Sequence, residues 1–193
     1  MTSYKIAILV GSLRADSLNR RVAQSLCAFA GDRLNCDIVD IGKLPLYNAD
    51  SDADPPPEYI AFRDEIGRAD GILFVTPEYN RGMPGVLKNA IDVGSRPFGK
   101  SVFNQKPAAI VSASPGSIGG ALANHQVRQS CVFLNMPVMQ HPEAYLGRVS
   151  DDSFDEDGCL KEGPLKDLII SLSNAFADWV HLILESRSLL AAR

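Results

Sequence analysis

Three short stretches of the chain hold residue types that could bind a ligand. The first, Gly11-Ser12-Leu13-Arg14-Ala15-Asp16-Ser17-Leu18-Asn19, lies between an apolar run and a helical pattern and offers two hydroxyls, an amide and a guanidinium. The free N–H groups and dipole at a helix start favour an anion. This donor set suits a terminal phosphate monoester, with three oxygens to satisfy, whereas a pyrophosphate would want bare backbone. Ser12, Ser17 and Asn19 also suit an ordinary turn and helix cap. The second stretch, Pro77-Glu78-Tyr79-Asn80-Arg81-Gly82-Met83-Pro84-Gly85, crowds polar and aromatic groups after an apolar segment. There Tyr79 offers a flat face, and the N–H groups of a tight turn can address the rim of a heteroaromatic ring. The third, Ala113-Ser114-Pro115-Gly116-Ser117-Ile118-Gly119-Gly120, is built of small residues that let the main chain approach a ligand closely. Read separately, the second is a Pro- and Gly-bounded turn and the third a flexible connection.

The segments around these stretches explain why they would meet. Ile6 to Val10, Gly71 to Thr76 and Ala108 to Ser112 are continuous apolar runs, as expected of parallel strands covered on both faces. Cys36 to Ile41 and Pro137 to Gln140 are weaker strand candidates. Leu18, Val22, Leu26 and Phe29 fall on one face of a helix, and further helices are expected over Glu58 to Arg68, Pro84 to Val93 and Ala121 to Leu134. A last helix near Leu165 to Leu190 carries Leu165, Leu168, Leu172, Phe176, Trp179 and Ile183 as an apolar stripe. The alternation predicts a doubly wound α/β fold: a five-stranded parallel sheet with helices on both faces. In such a sheet ligands sit beyond the carboxyl ends of the strands where the order reverses, so the loops after strands one, three and four matter most. Gly42 to Pro57 and Ser150 to Gly163 read as surface loops. With no repeat and no linker, residues 1–193 read as a single domain.

Composition excludes several classes. The 193 residues, 46% hydrophobic and 22% charged, are enough for one substantial core. A net charge of -4 without a basic stripe argues against nucleic acid as a partner. Ile6 to Val10 is too brief for a signal-peptide core, and no segment reads as the roughly 20 apolar residues of a membrane span. Cys27, Cys36, Cys131 and Cys159 show no C-x-x-C spacing or adjacent His, so reduced thiols and a cytoplasmic location are expected, with no metal site. Gly94-Ser95-Arg96-Pro97-Phe98-Gly99-Lys100-Ser101 matches the phosphate-loop pattern of nucleotide triphosphatases letter for letter. Its context is inverted, since it follows a helix and precedes a strand. Ser114 lacks a G-x-S-x-G setting, so no hydrolase triad with His125, His141 or His181 is expected. The acidic run from Asp151 to Asp157 lacks the spacing of a calcium loop.

Together, Gly11-Ser12-Leu13-Arg14 with Ser17 and Asn19, and Pro77-Glu78-Tyr79-Asn80 leading into Pro84-Gly85-Val86-Leu87-Lys88-Asn89-Ala90-Ile91-Asp92, resemble the NADPH-dependent FMN reductase family from about Tyr4 to Gly147. The resemblance implies a flavodoxin-like fold holding FMN. It implies transfer of hydride from NADPH or NADH through the flavin to quinones, free flavin or other small acceptors, with chromate, ferric complexes and azo compounds as further possibilities. A flavodoxin-like electron carrier with no nicotinamide site of its own is the alternative. By the same resemblance Ser12, Arg14, Ser17 and Asn19 would bind the FMN phosphate, Pro77, Glu78, Tyr79 and Asn80 would line the isoalloxazine, and Ser114 and Gly116 would close its polar edge. The flavin carries the chemistry, so no residue is assigned as catalytic. Arg96 and Tyr79 are candidates for meeting the substrate, and a homodimer or homotetramer is implied. Pro115, which removes a backbone donor, and Arg81, a bulky cation inside a turn, depart from the family pattern.

Overall fold

The computed structural model describes residues 3–191. Five strands, β1 (Tyr4–Val10), β2 (Leu34–Ile38), β3 (Gly71–Thr76), β4 (Ala108–Ala113) and β5 (Tyr145–Leu146), form one parallel sheet in the order β2-β1-β3-β4-β5. Five helices accompany it: α1 (Leu18–Ala30), α2 (Pro57–Gly67), α3 (Gly85–Gly94), α4 (Ala121–Phe133) and α5 (Pro164–Ala191). Every residue of β3 and β4 is buried, which is why these runs are apolar without alternation. Side chains still alternate between faces. Ile6, Ile8 and Val10 of β1 join Val22, Leu26, Leu172, Phe176 and Val180 beneath α1 and α5. Ala7 and Leu9 join Phe62, Ile66, Leu87, Ile91 and Val127 beneath α2, α3 and α4.

The chain leaves β1 for β2 on one side and returns past it to β3 on the other. The order therefore reverses between β1 and β3, and the loops that follow those two strands diverge and leave a crevice.

Four expectations need correction. Strand β2 begins at Leu34, ahead of the run at Cys36 to Ile41; Val39 and Ile41 are buried, but beyond the ladder proper. Pro137 to Gln140 contributes only a bridge between Val138 and Ala108, and the fifth strand is Tyr145–Leu146, too short to show a pattern of its own. Cys27 and Cys36 are joined as a disulfide with Cα atoms 6.2 Å apart. They lie nine residues apart, and the short turn Gly31–Arg33 folds β2 back along α1, a pairing that no familiar cysteine motif announces. Burial pushes the remaining core thiol, Cys131, up to about 12, so it stays protonated and inert. Finally, α5 is long and apolar enough to cross a membrane by length and composition. Here Ile169, Leu172, Phe176, Ala177 and Val180 pack it on the sheet, Ser173 Oγ donates to Leu26 O at 2.5 Å, and Trp179 Nε1 donates to Pro137 O at 2.9 Å.

The segment Ser150 to Gly163 is a loop, but an anchored one. Phe154 and Leu160 pair across it and are buried in the core, and the Arg21 guanidinium lies 3.8 Å over the Phe154 ring. The triphosphatase-like stretch begins on the last residue of α3 and runs into the connection before β4, so no helix N-terminus faces it.

Candidate functional site

The loops after β1, β3 and β4 converge on one cleft at the carboxyl edge of the sheet. It is lined by Ser12, Arg14, Ser17, Leu18, Asn19, Pro77, Glu78, Tyr79, Ala113, Ser114 and Pro115, and encloses about 480 Å³ open to solvent. Close approach of the first two loops depends on Gly11. Its N–H donates to Val75 O at 2.8 Å, and a Cβ there would lie 2.9 Å from Thr76 Oγ1.

In the first loop Ser17 caps α1, its Oγ accepting from Arg20 N–H at 3.2 Å. Capping and ligand binding do not compete, because a hydroxyl that accepts one bond still has its own hydrogen to donate. Ser12 and Ser17 are both buried against the cleft wall. Arg14 is exposed, and among the described residues no carboxylate pairs with it. A free guanidinium thus stands beside the positive end of α1, where an anion would neutralise both. Asn19 also joins two elements. Its Nδ2 donates to Ala113 O at 3.1 Å, tying α1 to the end of β4, and its buried Oδ1 has no partner among the described residues. An amide that gives one hydrogen to Ala113 O keeps a second for a phosphate oxygen, while its Oδ1 can accept from a hydroxyl or N–H donor.

The second loop is a tight hairpin. Tyr79 and Gly82 exchange both backbone hydrogen bonds at 3.0 Å, and the central Asn80 and Arg81 sit at φ 52° and 64°. That is the pattern of a type I′ turn, whose second central position usually falls to glycine. Tyr79 stands 52% exposed on its flank, free to stack. The N–H groups of Glu78 and Asn80 have no acceptor among the described residues. The Glu78 side chain does not face the cleft as a free carboxylate, since its oxygens accept from Leu122 N–H, Ala123 N–H and Arg81.

The third loop is clamped from behind. Ser114 N–H donates to Leu146 O, Val149 N–H to Ser114 O, and Arg148 N–H to Gly116 O, each at 3.0 to 3.1 Å. Ser114 Oγ is turned onto Gly116 O at 3.3 Å. These bonds use the Gly116 carbonyl, and the Gly116 N–H has no acceptor among the described residues. Gly119 and Gly120 hold φ of 65° and 74° where the loop enters α4. Behind the loop the Tyr145 phenol, bonded to Glu143 and within 3.2 Å of His125, is raised above its ordinary pKa by burial first and then by the Glu143 contact. It remains protonated at neutral pH.

Of the residues expected from the sequence, Ser12, Arg14, Ser17, Asn19, Pro77, Glu78, Tyr79 and Ser114 line the cleft, with Asn80 and Gly116 next to lining residues. Arg96 does not join them. It follows the C-terminal end of α3 and is not among the residues that line the cleft. Leu18, Ala113 and Pro115 complete the lining and could have been found only by knowing which way each loop turns.

Residues 4–151 match the model of a family described as NADPH-dependent FMN reductase. The chain is 55% identical to a quinone reductase of Pseudomonas putida over 93% of its own length and 96% of the relative's. It is 44% identical to a 2-hydroxy-1,4-benzoquinone reductase of a Burkholderia species, over 92% and 97% respectively. Among solved structures it superposes on FerB, a flavoenzyme NAD(P)H:(acceptor) oxidoreductase from Paracoccus denitrificans, with a TM-score of 0.87 and 38% identity, covering 92% of this chain and 97% of that one.

Proposed function

The chain belongs to the NADPH-dependent FMN reductase family, and from that premise we propose how its three loops divide the work of a flavin-dependent NAD(P)H:quinone oxidoreductase. The observation that carries the assignment is the convergence of an Arg14 with no carboxylate partner among the described residues, two buried hydroxyls and the start of α1 on one wall of the cleft. These donors fit a phosphate monoester. Ser12, Arg14 and Ser17 hold the FMN phosphate. Asn19 Oδ1, unpartnered among the described residues, takes a hydroxyl of the ribityl chain, and the second hydrogen of its Nδ2 remains for the phosphate. Tyr79 flanks the isoalloxazine with Pro77, and the free N–H groups of Glu78, Asn80 and Gly116 address its polar edge.

Bound there, FMN supplies hydride transfer from NADPH or NADH to a small acceptor, and the protein need not furnish a nucleophile. The chain's own contribution is positional and electrostatic. Backbone N–H groups fixed in advance favour negative charge at the ring edge without reorganising. The exposed Tyr79 leaves room for a flat molecule on the same side of the cleft. Leu13, Ile118 and Leu122, which are 41 to 61% exposed, add apolar surface in the first and third loops and at the start of α4 that suits a quinone better than a hydrophilic oxyanion. The proposal includes a dimer or tetramer: Val132, Phe133, Leu189 and Leu190 expose apolar area at the ends of α4 and α5 that a second copy would cover. It also includes the cytoplasmic location expected from the sequence.

The purified protein is expected to be yellow and to oxidise NAD(P)H in steady state when a quinone is supplied, with free flavin, azo dye, ferric complex and chromate as comparison acceptors. A protein that takes up FMN but does not turn over either nicotinamide is a carrier, and the reductase assignment is then wrong.

A further inference from the structure

Helix α4 begins without a side-chain cap of its own. The residue before it, Gly120, sits at φ 74° and has nothing to offer the first free N–H groups. Those groups are taken from outside the helix. Glu78 Oε2 accepts from Leu122 N–H at 2.9 Å and from Ala123 N–H at 3.2 Å, across 44 and 45 residues of sequence. Its other oxygen meets Arg81 at 3.3 Å, and the side chain is only 10% exposed. One turn further on, Gln126 Oε1 accepts from Met83 N–H at 2.9 Å. The hairpin that carries Tyr79 is thus fastened at two points to the helix in which the third loop ends.

Resting on the function proposed above, we propose that Glu78 is a positioning residue. Its side chain does not touch the flavin. It caps α4 from the second loop and so sets the spacing between the two loops that must meet the ring together. A carboxylate suits this place because it accepts two N–H bonds at once and stands at the positive end of a helix dipole. The neighbouring Arg81 compensates what charge remains. The left-handed conformation of Asn80 and Arg81 is then held by a tie that would be lost with the carboxylate.

The test compares Glu78→Ala with Glu78→Gln, prepared as holoprotein, by visible-region circular dichroism of the bound flavin and by FMN affinity from fluorescence quenching. Glu78→Ala is expected to change the flavin dichroism and to weaken FMN at least tenfold. Glu78→Gln, whose amide oxygen still accepts from Leu122 and Ala123, is expected to restore the wild-type dichroism and most of the affinity. A cap that served stability alone would lower the melting temperature of Glu78→Ala while leaving dichroism and affinity at wild-type values, and that result would overturn the proposal. Glutamine performing no better than alanine would do the same. Amide exchange in the wild-type protein gives an arm that needs no variant: slow exchange at Leu122 and Ala123 is expected, and fast exchange would show the tie absent. Wild-type protein unable to bind FMN would instead contradict the functional assignment, a failure that the exchange measurement separates from failure of the tie.

Discussion

Replacing Arg14 with alanine is expected to weaken FMN binding by roughly tenfold or more, about 1.4 kcal/mol, while leaving the weaker binding of riboflavin unchanged. Arg14 has no protein carboxylate to satisfy it among the described residues, so its charge is free for the phosphate, and Ser12 and Ser17 can replace its hydrogen bonds only in part. Because the guanidinium is exposed, the contact is screened by salt. Wild-type affinity should therefore fall more steeply with ionic strength than that of the variant, and the two curves should approach each other at high salt. The paired ligands make the result specific. Equal losses for FMN and riboflavin would mean that the variant had damaged the loop rather than a phosphate contact, and unchanged FMN affinity would remove Arg14 from the site.

The second large effect belongs to the third loop. A Cβ on Gly119 would lie 2.5 Å from the Tyr145 carbonyl carbon, 2.6 Å from its oxygen and 2.8 Å from Gly147 N, all backbone atoms that cannot swing aside. Its φ of 65° adds the left-handed penalty of roughly 1–2 kcal/mol. With about 1–3 kcal/mol for overpacking, Gly119→Ala should lose about 2–5 kcal/mol, a drop of roughly 4–20 °C in Tm for a chain of this size. FMN should be lost with it, since relief requires the loop to leave β5. Gly158 is the control: φ is 79°, but nothing lies within 4 Å of its would-be Cβ. Gly158→Ala should carry only the conformational penalty and keep its flavin. Similar melting temperatures for the two variants would show that the loop is not clamped against β5.

Much of this was legible before any coordinates. The runs at Gly71 to Thr76 and Ala108 to Ser112 name their strands to within a residue, because burial on both faces leaves no polar positions to blur the edges. Loops between such strands have to fall at the carboxyl edge, so the cleft residues followed from the topology. What escaped depends on contacts between distant segments. Tyr145–Leu146 is held as a strand by the Ser112 and Ala113 pairing alone. The Cys27–Cys36 pair needs the turn that folds β2 onto α1. The bonds from the start of α4 to Glu78 and from Asn19 to Ala113 likewise join segments far apart in sequence and leave no mark in it. The apolar stretch of α5 could be told from a membrane span only by seeing its stripe buried on the sheet.

The central claim is that the phosphate of a flavin mononucleotide sits where β1 hands over to α1. A crystal structure of the protein with FMN tests it most directly. The account predicts the phosphate within hydrogen-bond distance of Ser12, Arg14 and Ser17, a ribityl hydroxyl on Asn19 Oδ1, and the ring between Tyr79 and the Ser114 to Gly116 main chain. A phosphate bound anywhere else, or a ring that leaves Tyr79 and the third loop untouched, would contradict it.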